Sequence, residues 1–182
     1  MNKEELGKLY PIEIVKYDPN WPLFFEKEKM LLLNILCDKI ALRIEHIGST
    51  AIPKLAAKPT IDILVEIPDQ LEIEDMIIKL MVQNGYIHME EQKDHLMFVR
   101  GYSPTGLEPE SYHIHMGTKS QSSLWDRVKF RNYLRRSPET AKKYENLKYD
   151  LAKENKNDRE AYTDKKGNFI KEITKLAISE SS

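Results

Sequence analysis

Ile44–Ile67 reads IEHIGSTAIPKLAAKPTIDILVEI. Two apolar, β-branched runs of strand length, Ala41–Ile47 (ALRIEHI) and Ile61–Ile67 (IDILVEI), flank a loop. The loop opens with Gly48-Ser49-Thr50, carries Lys58, and is stiffened by Pro53 and Pro59. A glycine at a strand end lets the backbone approach a ligand closely. A serine hydroxyl with nearby N–H groups suits phosphate oxygens. Asp62, early in the second run, is placed to hold a divalent cation beside such a phosphate.

The stretch resembles the pattern Gly-Ser, about a dozen residues, then Asp-hydrophobic-(Asp/Glu)-hydrophobic of the nucleotidyltransferase superfamily, the DNA polymerase β-like fold. The longer stretch Glu45–Ile63 (EHIGSTAIPKLAAKPTIDI) resembles the GrpB family of small bacterial proteins. That family is in turn similar to a C-terminal extension of some dephospho-CoA kinases. Val15–Trp21 (VKYDPNW) resembles the family's opening, and Tyr112–His115 (YHIH) its HxH strand. Phe130–Leu134 (FRNYL) and Asp158–Thr163 (DREAYT) resemble its helical C-terminus. The likeness spans roughly residues 12 to 178 of the 182. It implies one α+β (α/β) domain: a nucleotidyltransferase-like mixed β-sheet of about five strands with flanking helices over 12–118, then a helical lobe over 119–178.

Working outward, Ile12–Tyr17 alternates and reads as a short strand. Asp18–Pro22 is a turn, with Asn20 as helix cap and Trp21 as an apolar plug at the helix entry. Residues 23–40 carry a wide apolar face and form a helix. A second helix spans 70–84, with Leu71, Ile73, Met76, Ile77, Leu80 and Met81 inward and Asn84-Gly85 as its stop. Strands follow at Tyr86–Met89, Asp94–Tyr102 and Ser111–Met116, with Ser103–Glu110 as a hairpin-type loop. Beyond Ser120 only helices are expected: Ser122 or Ser123 to Arg136, Pro138 to about Lys153 behind a Ser137 cap, and Asp158 to Ile178 with a weak point at Gly167. The tail Ser179–Ser182 reads as frayed.

Net charge is −1, against general nucleic-acid binding, but the charge is uneven. Residues 1–118 hold 12 Lys and Arg against 19 Asp and Glu, whereas 119–176 hold 16 against 9. The basic third either complements the acidic part or walls a phosphate site. No apolar run approaches ~20 residues, and no membrane partner is expected. The N-terminus lacks a signal-peptide layout. A single cysteine, Cys37, falls in the first helical pattern and reads as a buried thiol. Together these features point to the cytoplasm.

Nucleotidyl transfer places carboxylates at i and i+2 on one strand face, where they hold metal ions that clamp the reacting phosphate. Asp62 is present, but i+2 is Leu64. Glu66 shares the face at i+4, roughly 13 Å along the strand, too far to share an ion. The YHIH strand instead offers His113 and His115, also i and i+2. Three roles stay open for the histidines: a satisfied polar network, a general base or phosphate donor, or metal ligands. Asp62, His113 and His115 are therefore both the catalytic and the metal-ligand candidates. Mg²⁺ or Mn²⁺ suits the transferase reading, and Zn²⁺ suits the histidines.

Phosphate- or nucleotide-binding candidates are Gly48, Ser49, Thr50, Lys58, Arg100, Arg131, Arg159, Tyr162 and Lys165. Lys58 either reaches phosphate or pairs with Glu45 or Asp62. Arg100 either binds phosphate or pairs with an acid. The helical residues either lock the lobe to the sheet through an ion pair or line the cleft. The expected ligand is a nucleotide or phosphorylated small molecule in a cleft between the Gly-Ser loop, the Asp62 strand and the helices. The expected activity is nucleotide binding with nucleotidyl transfer. The alternatives are a non-catalytic nucleotide-binding or partner-docking module, with a protein as partner, and a His/Asp metal-dependent phosphohydrolase.

Overall fold

A computed structural model describes residues 8–70 and 72–180. Helix α1 (Trp21–Leu36) leads into strand β1 (Arg43–Ile47), and a short 3₁₀ turn (Ser49–Ala51) and loop connect to β2 (Ile61–Glu66). Helix α2 (Ile73–Gln83) is followed by β3 (Ile87–His88), β4 (Leu96–Ser103) and β5 (Gly106–Gly117). Three helices close the chain: α3 (Ser122–Arg136), α4 (Pro138–Glu154) and α5 (Arg159–Ser179). The five strands form one mixed sheet in the order β1-β2-β5-β4-β3, parallel between β2 and β5 and antiparallel elsewhere.

Strand alternation sends successive residues to opposite faces. One face carries Ile61, Ile63, Val65, Tyr112, Ile114, Met116 and Phe98 against Trp21, Phe25, Leu32 and Leu36 of α1 and Ile73, Ile77 and Met81 of α2. The other face, under the C-terminal lobe, begins apolar: Ile47 and Leu64 pack on Leu124 and Val128 of α3. The lobe has its own small core of Phe130, Leu134, Tyr144 and Ile173, which also covers Ile52 and Leu55 of the loop. That packing holds the Gly48–Thr60 loop between sheet and lobe.

The expected mixed five-stranded sheet with flanking helices is present, with local corrections. Ile12–Tyr17 is not a strand of the sheet. Val15 makes only an isolated bridge with Ala57, while Ile12 packs against Leu151 and Tyr162 in the lobe. The hairpin loop is tighter than expected: β5 starts at Gly106, so only Pro104 and Thr105 separate the strands. Cys37 is exposed, because the first helix stops at Leu36 and Cys37 forms its C-cap at φ 57. Met76 of α2 is exposed rather than inward. Helix α5 runs unbroken through Gly167. Asn20 and Ser137 precede their helices without a side-chain cap bond, whereas Asp158 caps the last helix by accepting from the Ala161 N–H. Leu71 and the tail residues Ser181 and Ser182 lie outside the described residues. Among the described residues no helix is long and apolar enough to cross a membrane.

Candidate functional site

Asp62 is paired across the parallel β2–β5 register with His113, so their side chains emerge side by side beneath the lobe. His113 Nδ1 lies 3.1 Å from Asp62 Oδ1, and His113 Nε2 lies 2.5 Å from the Tyr102 hydroxyl. Arg159 Nη2, from the first turn of α5, donates to that hydroxyl at 3.3 Å. The pair is enclosed but reachable: the Asp62 side chain is 30% exposed and that of His113 16%.

The protonation states follow from these partners. Burial alone would raise the Asp62 carboxyl, but the hydrogen bond from His113 and the nearby Lys58 ammonium outweigh it and hold it well below the usual carboxylate range. An ionised carboxylate only accepts, so His113 carries its proton on Nδ1 and donates it to Asp62. Burial holds His113 below its ordinary value despite Asp62, so the ring is neutral and Nε2 is an acceptor. Tyr102 therefore donates its O–H to Nε2 and accepts from Arg159. Burial also raises the Tyr102 phenol, against the opposing pull of Arg159.

Cations crowd this carboxylate. Burial, with Arg159 and Lys166 nearby, pushes Lys58 down to about 7, and Asp62 opposes the shift. Burial takes Lys166 of α5 to about 8 and lowers Arg127 of α3, and in both cases Asp62 is the opposing charge. Buried Lys148 of α4 falls to about 7 through burial and Lys166, and donates to the Ala56 carbonyl.

Gly48 closes the other side. It has φ 71, and a Cβ there would fall 2.3 Å from Asp62 Oδ2. Ser49 follows it near Tyr144, whose phenol burial raises to about 12. Beyond Lys58, a recess of about 430 Å³ is lined by Tyr10, Glu13, Pro59 and Leu107. Tyr10 packs its ring 5.1 Å from that of Tyr102.

The GrpB protein family matches residues 11–176 of this sequence. The chain belongs to the GrpB family. The glutamate-rich protein GrpB of Alkalihalophilus pseudofirmus is 33% identical over 162 residues, covering 88% of this chain and 92% of that protein. The crystal structure of GrpB from Enterococcus faecalis overlays with a TM-score of 0.80 at 32% identity, covering 93% of this chain and 99% of that one. Dephospho-CoA kinase of Mycobacterium tuberculosis matches over 85 residues at 35% identity, 44% of this chain and 20% of that enzyme.

Of the residues singled out from the sequence of this GrpB-family chain, Gly48, Ser49, Lys58, Asp62, His113 and Arg159 converge. The others do not. His115 lies two register pairs further along the face, opposite Leu64, with Nδ1 2.8 Å from His95 Nε2. Burial and Arg127 keep His115 well below its ordinary value. Thr50 is buried, bonded to His46 and to the Thr60 carbonyl. Arg100 points to the opposite face, paired with Glu28 at 2.9 Å. Arg131 locks the lobe to β1, reaching Glu45 at 2.7 Å and the His46 carbonyl at 2.6 Å. Tyr162 is buried with Ile12 and Leu151, and Lys165 faces out toward Glu154 and Asn155. Lys166, the next residue, instead lies over the Tyr162 ring at 4.2 Å, with Asp62 as its opposing charge.

Of the three roles left open for the histidines, joint metal ligation with Asp62 has no assembled ligand set here. Among the described residues no group of three His, Cys, Asp or Glu side chains is arranged to hold a metal ion. His115 stands two register pairs along the strands from Asp62 and His113, and both His113 nitrogens are already engaged. Leu64, at i+2 from Asp62, is fully buried in the apolar cluster under α3. These residues do not fit a two-carboxylate metal clamp.

Tyr102, Arg127, Lys148 and Lys166 are not legible in the sequence as site residues. The helical lysines and arginine appear there only as part of the basic excess of residues 119–176.

Proposed function

We propose that the cleft between the sheet and the C-terminal lobe binds the phosphate groups of a nucleotide or related phosphate compound. One observation carries the reading: Lys58, Arg127 and Lys166, from a loop and two helices, all have Asp62 as their opposing charge, and Arg159 reaches the Tyr102 hydroxyl that is bonded to the His113 partner of Asp62. Half-buried cations in excess of anions repel one another and are stabilised when an anion joins them. A phosphate, with two negative charges and several acceptor oxygens, satisfies both the charge and the N–H donors. The Gly48-Ser49 turn adds close backbone approach, and the recess beyond Lys58 has volume for the rest of a nucleotide.

Phosphate binding is the function this reading supports, and any transfer step would have to run without the second metal carboxylate that Leu64 replaces. The chain's own residues would hold the phosphates, and His113 is positioned to take a proton. The test is thermal stability of the intact chain against a panel of nucleotides and coenzyme A precursors. A ligand that binds only the folded protein adds about 2.7 kcal/mol at a hundred times its Kd. A rise in the midpoint with nucleotide, lost in Lys166→Met and Arg159→Met, supports the reading. No rise with any compound of the panel overturns it.

A further inference from the structure

We infer that Tyr102 is a covalent nucleophile, activated by His113 and oriented through Asp62, toward the phosphorus of a bound nucleotide. The inference rests on the phosphate-binding reading above and adds a reaction to it.

A weak nucleophile becomes competent when a base lies within hydrogen-bond reach and a third group orients that base. Here the Tyr102 hydroxyl donates to His113 Nε2 at 2.5 Å, and His113 Nδ1 donates to Asp62 at 3.1 Å. The three residues come from β4, β5 and β2, so only the folded sheet brings them together. Arg159 Nη2, 3.3 Å from the phenolic oxygen with its guanidinium 5.8 Å from the ring centre, lies where a developing phenolate or an adjacent phosphate would need a positive charge. A purely structural tyrosine needs neither an oriented base behind it nor the surrounding cations.

The backbone is built to present this hydroxyl. Between Arg100 and Tyr102 the register shifts, with Gly101 at φ 78 facing the bulged residues 108–111 of β5, and this breaks the alternation of β4. Arg100 points to Glu28 under α1, yet Tyr102, two residues later, points to His113 on the other face. A Cβ at Gly101 would fall 2.2 Å from the Glu110 carbonyl, so the bulge needs the glycine. Bulges that re-aim one side chain are over-represented beside active sites.

In the step, the Tyr102 oxygen forms a bond to phosphorus and its proton passes to His113 Nε2, giving an imidazolium beside the Asp62 carboxylate. The phosphoanhydride P–O bond breaks, and its electron pair leaves with the departing group: pyrophosphate for attack at the α-phosphorus, a nucleoside diphosphate for attack at the γ-phosphorus. The product is an aryl phosphate ester on Tyr102. This route uses no second carboxylate at residue 64.

The experiment incubates the intact chain with the four ribonucleoside triphosphates, radiolabelled at either the α- or the γ-phosphorus, with and without Mg²⁺. An aryl phosphate ester survives denaturation in acid, whereas a phosphoramidate on histidine or lysine does not. The expected result is an acid-stable label mapped by mass spectrometry to Tyr102, absent in Tyr102→Phe and formed at least ~100-fold more slowly in His113→Gln, the scale of a general base. Asp62→Asn is expected to shift the pH profile of labelling rather than abolish it. Mapping the label on the unaltered chain keeps the test decisive if a variant folds poorly. Nucleotide that raises the melting midpoint but leaves no acid-stable label overturns the nucleophile and leaves the binding reading standing. An acid-labile label, or a label on another residue, also overturns it. Neither stabilisation nor label overturns both.

Discussion

Replacing Gly48 by alanine tests whether the Gly-Ser turn and Asp62 form one unit. Gly48 has φ 71 and ψ −172, a backbone region open essentially to glycine alone. Holding an alanine there costs about 1–3 kcal/mol. The added Cβ would also lie 2.3 Å from Asp62 Oδ2 and 3.0 Å from Asp62 Cβ, so the carboxylate has to move away from His113. For a chain of this size about 1 kcal/mol lowers Tm by roughly 2–4 °C, so the backbone part alone predicts a fall of roughly 2–12 °C. Calorimetry or fluorescence melting measures it. A cycle with Asp62→Ala separates the two causes, because removing the carboxylate relieves the 2.3 Å contact but not the backbone strain. The double variant should be less destabilised than the sum of the singles by about 1 kcal/mol or more. A Gly48→Ala protein that melts with the unaltered chain refutes the reasoning altogether. Strict additivity refutes the contact with Asp62 and leaves only the strain.

Three further outcomes are expected. Arg131→Ala leaves Glu45 and the His46 carbonyl without their buried partner and should lower the urea-unfolding free energy by about 3 kcal/mol; a loss under ~1 kcal/mol would show that Arg131 is not the lock between lobe and sheet. Burial depresses His46 from 6.5 to about 4, so the folded state takes up fewer protons than the unfolded chain in that window. Stability present above pH 6.5 is therefore lost as pH falls toward 4, and His46→Gln should flatten the slope measured by denaturation at stepped pH. Lys58 and Lys166, at about 7 and 8, are charged below those values, so nucleotide affinity should weaken several-fold as pH rises through them; a titration by calorimetry that shows pH-independent affinity would remove both lysines from the phosphate site.

Local sequence pattern carried the elements and half of the site. Apolar β-branched runs, periodicity and cap residues mark the strands and helices named among the described residues, because these signals are local, although the first residues of β5 read as loop. The same alternation over Ile12–Tyr17 marks a strand that does not join the sheet, since its apolar side chains are taken up by the lobe. The Gly-Ser/Asp62 spacing and the YHIH strand are legible because each motif is contiguous in the chain. His113 can be nominated but not separated from His115, since both share a face and only the β2–β5 register puts Asp62 beside one of them.

The rest depended on how distant segments pack. Tyr102 is hidden by the register shift at Gly101: regular alternation places it with Arg100, on the wrong face, and a one-residue slip reverses which face a side chain reaches. Lys165 and Lys166 are indistinguishable in composition, and only the docking of α5 gives the second Asp62 as its opposing charge. Arg131 and Arg159 carry the same charge, yet Glu45 claims one and Tyr102 meets the other. Periodicity specifies which residues are buried. Which charges meet is settled by tertiary contacts between segments far apart in the chain, because ion pairs and hydrogen bonds need only proximity in space.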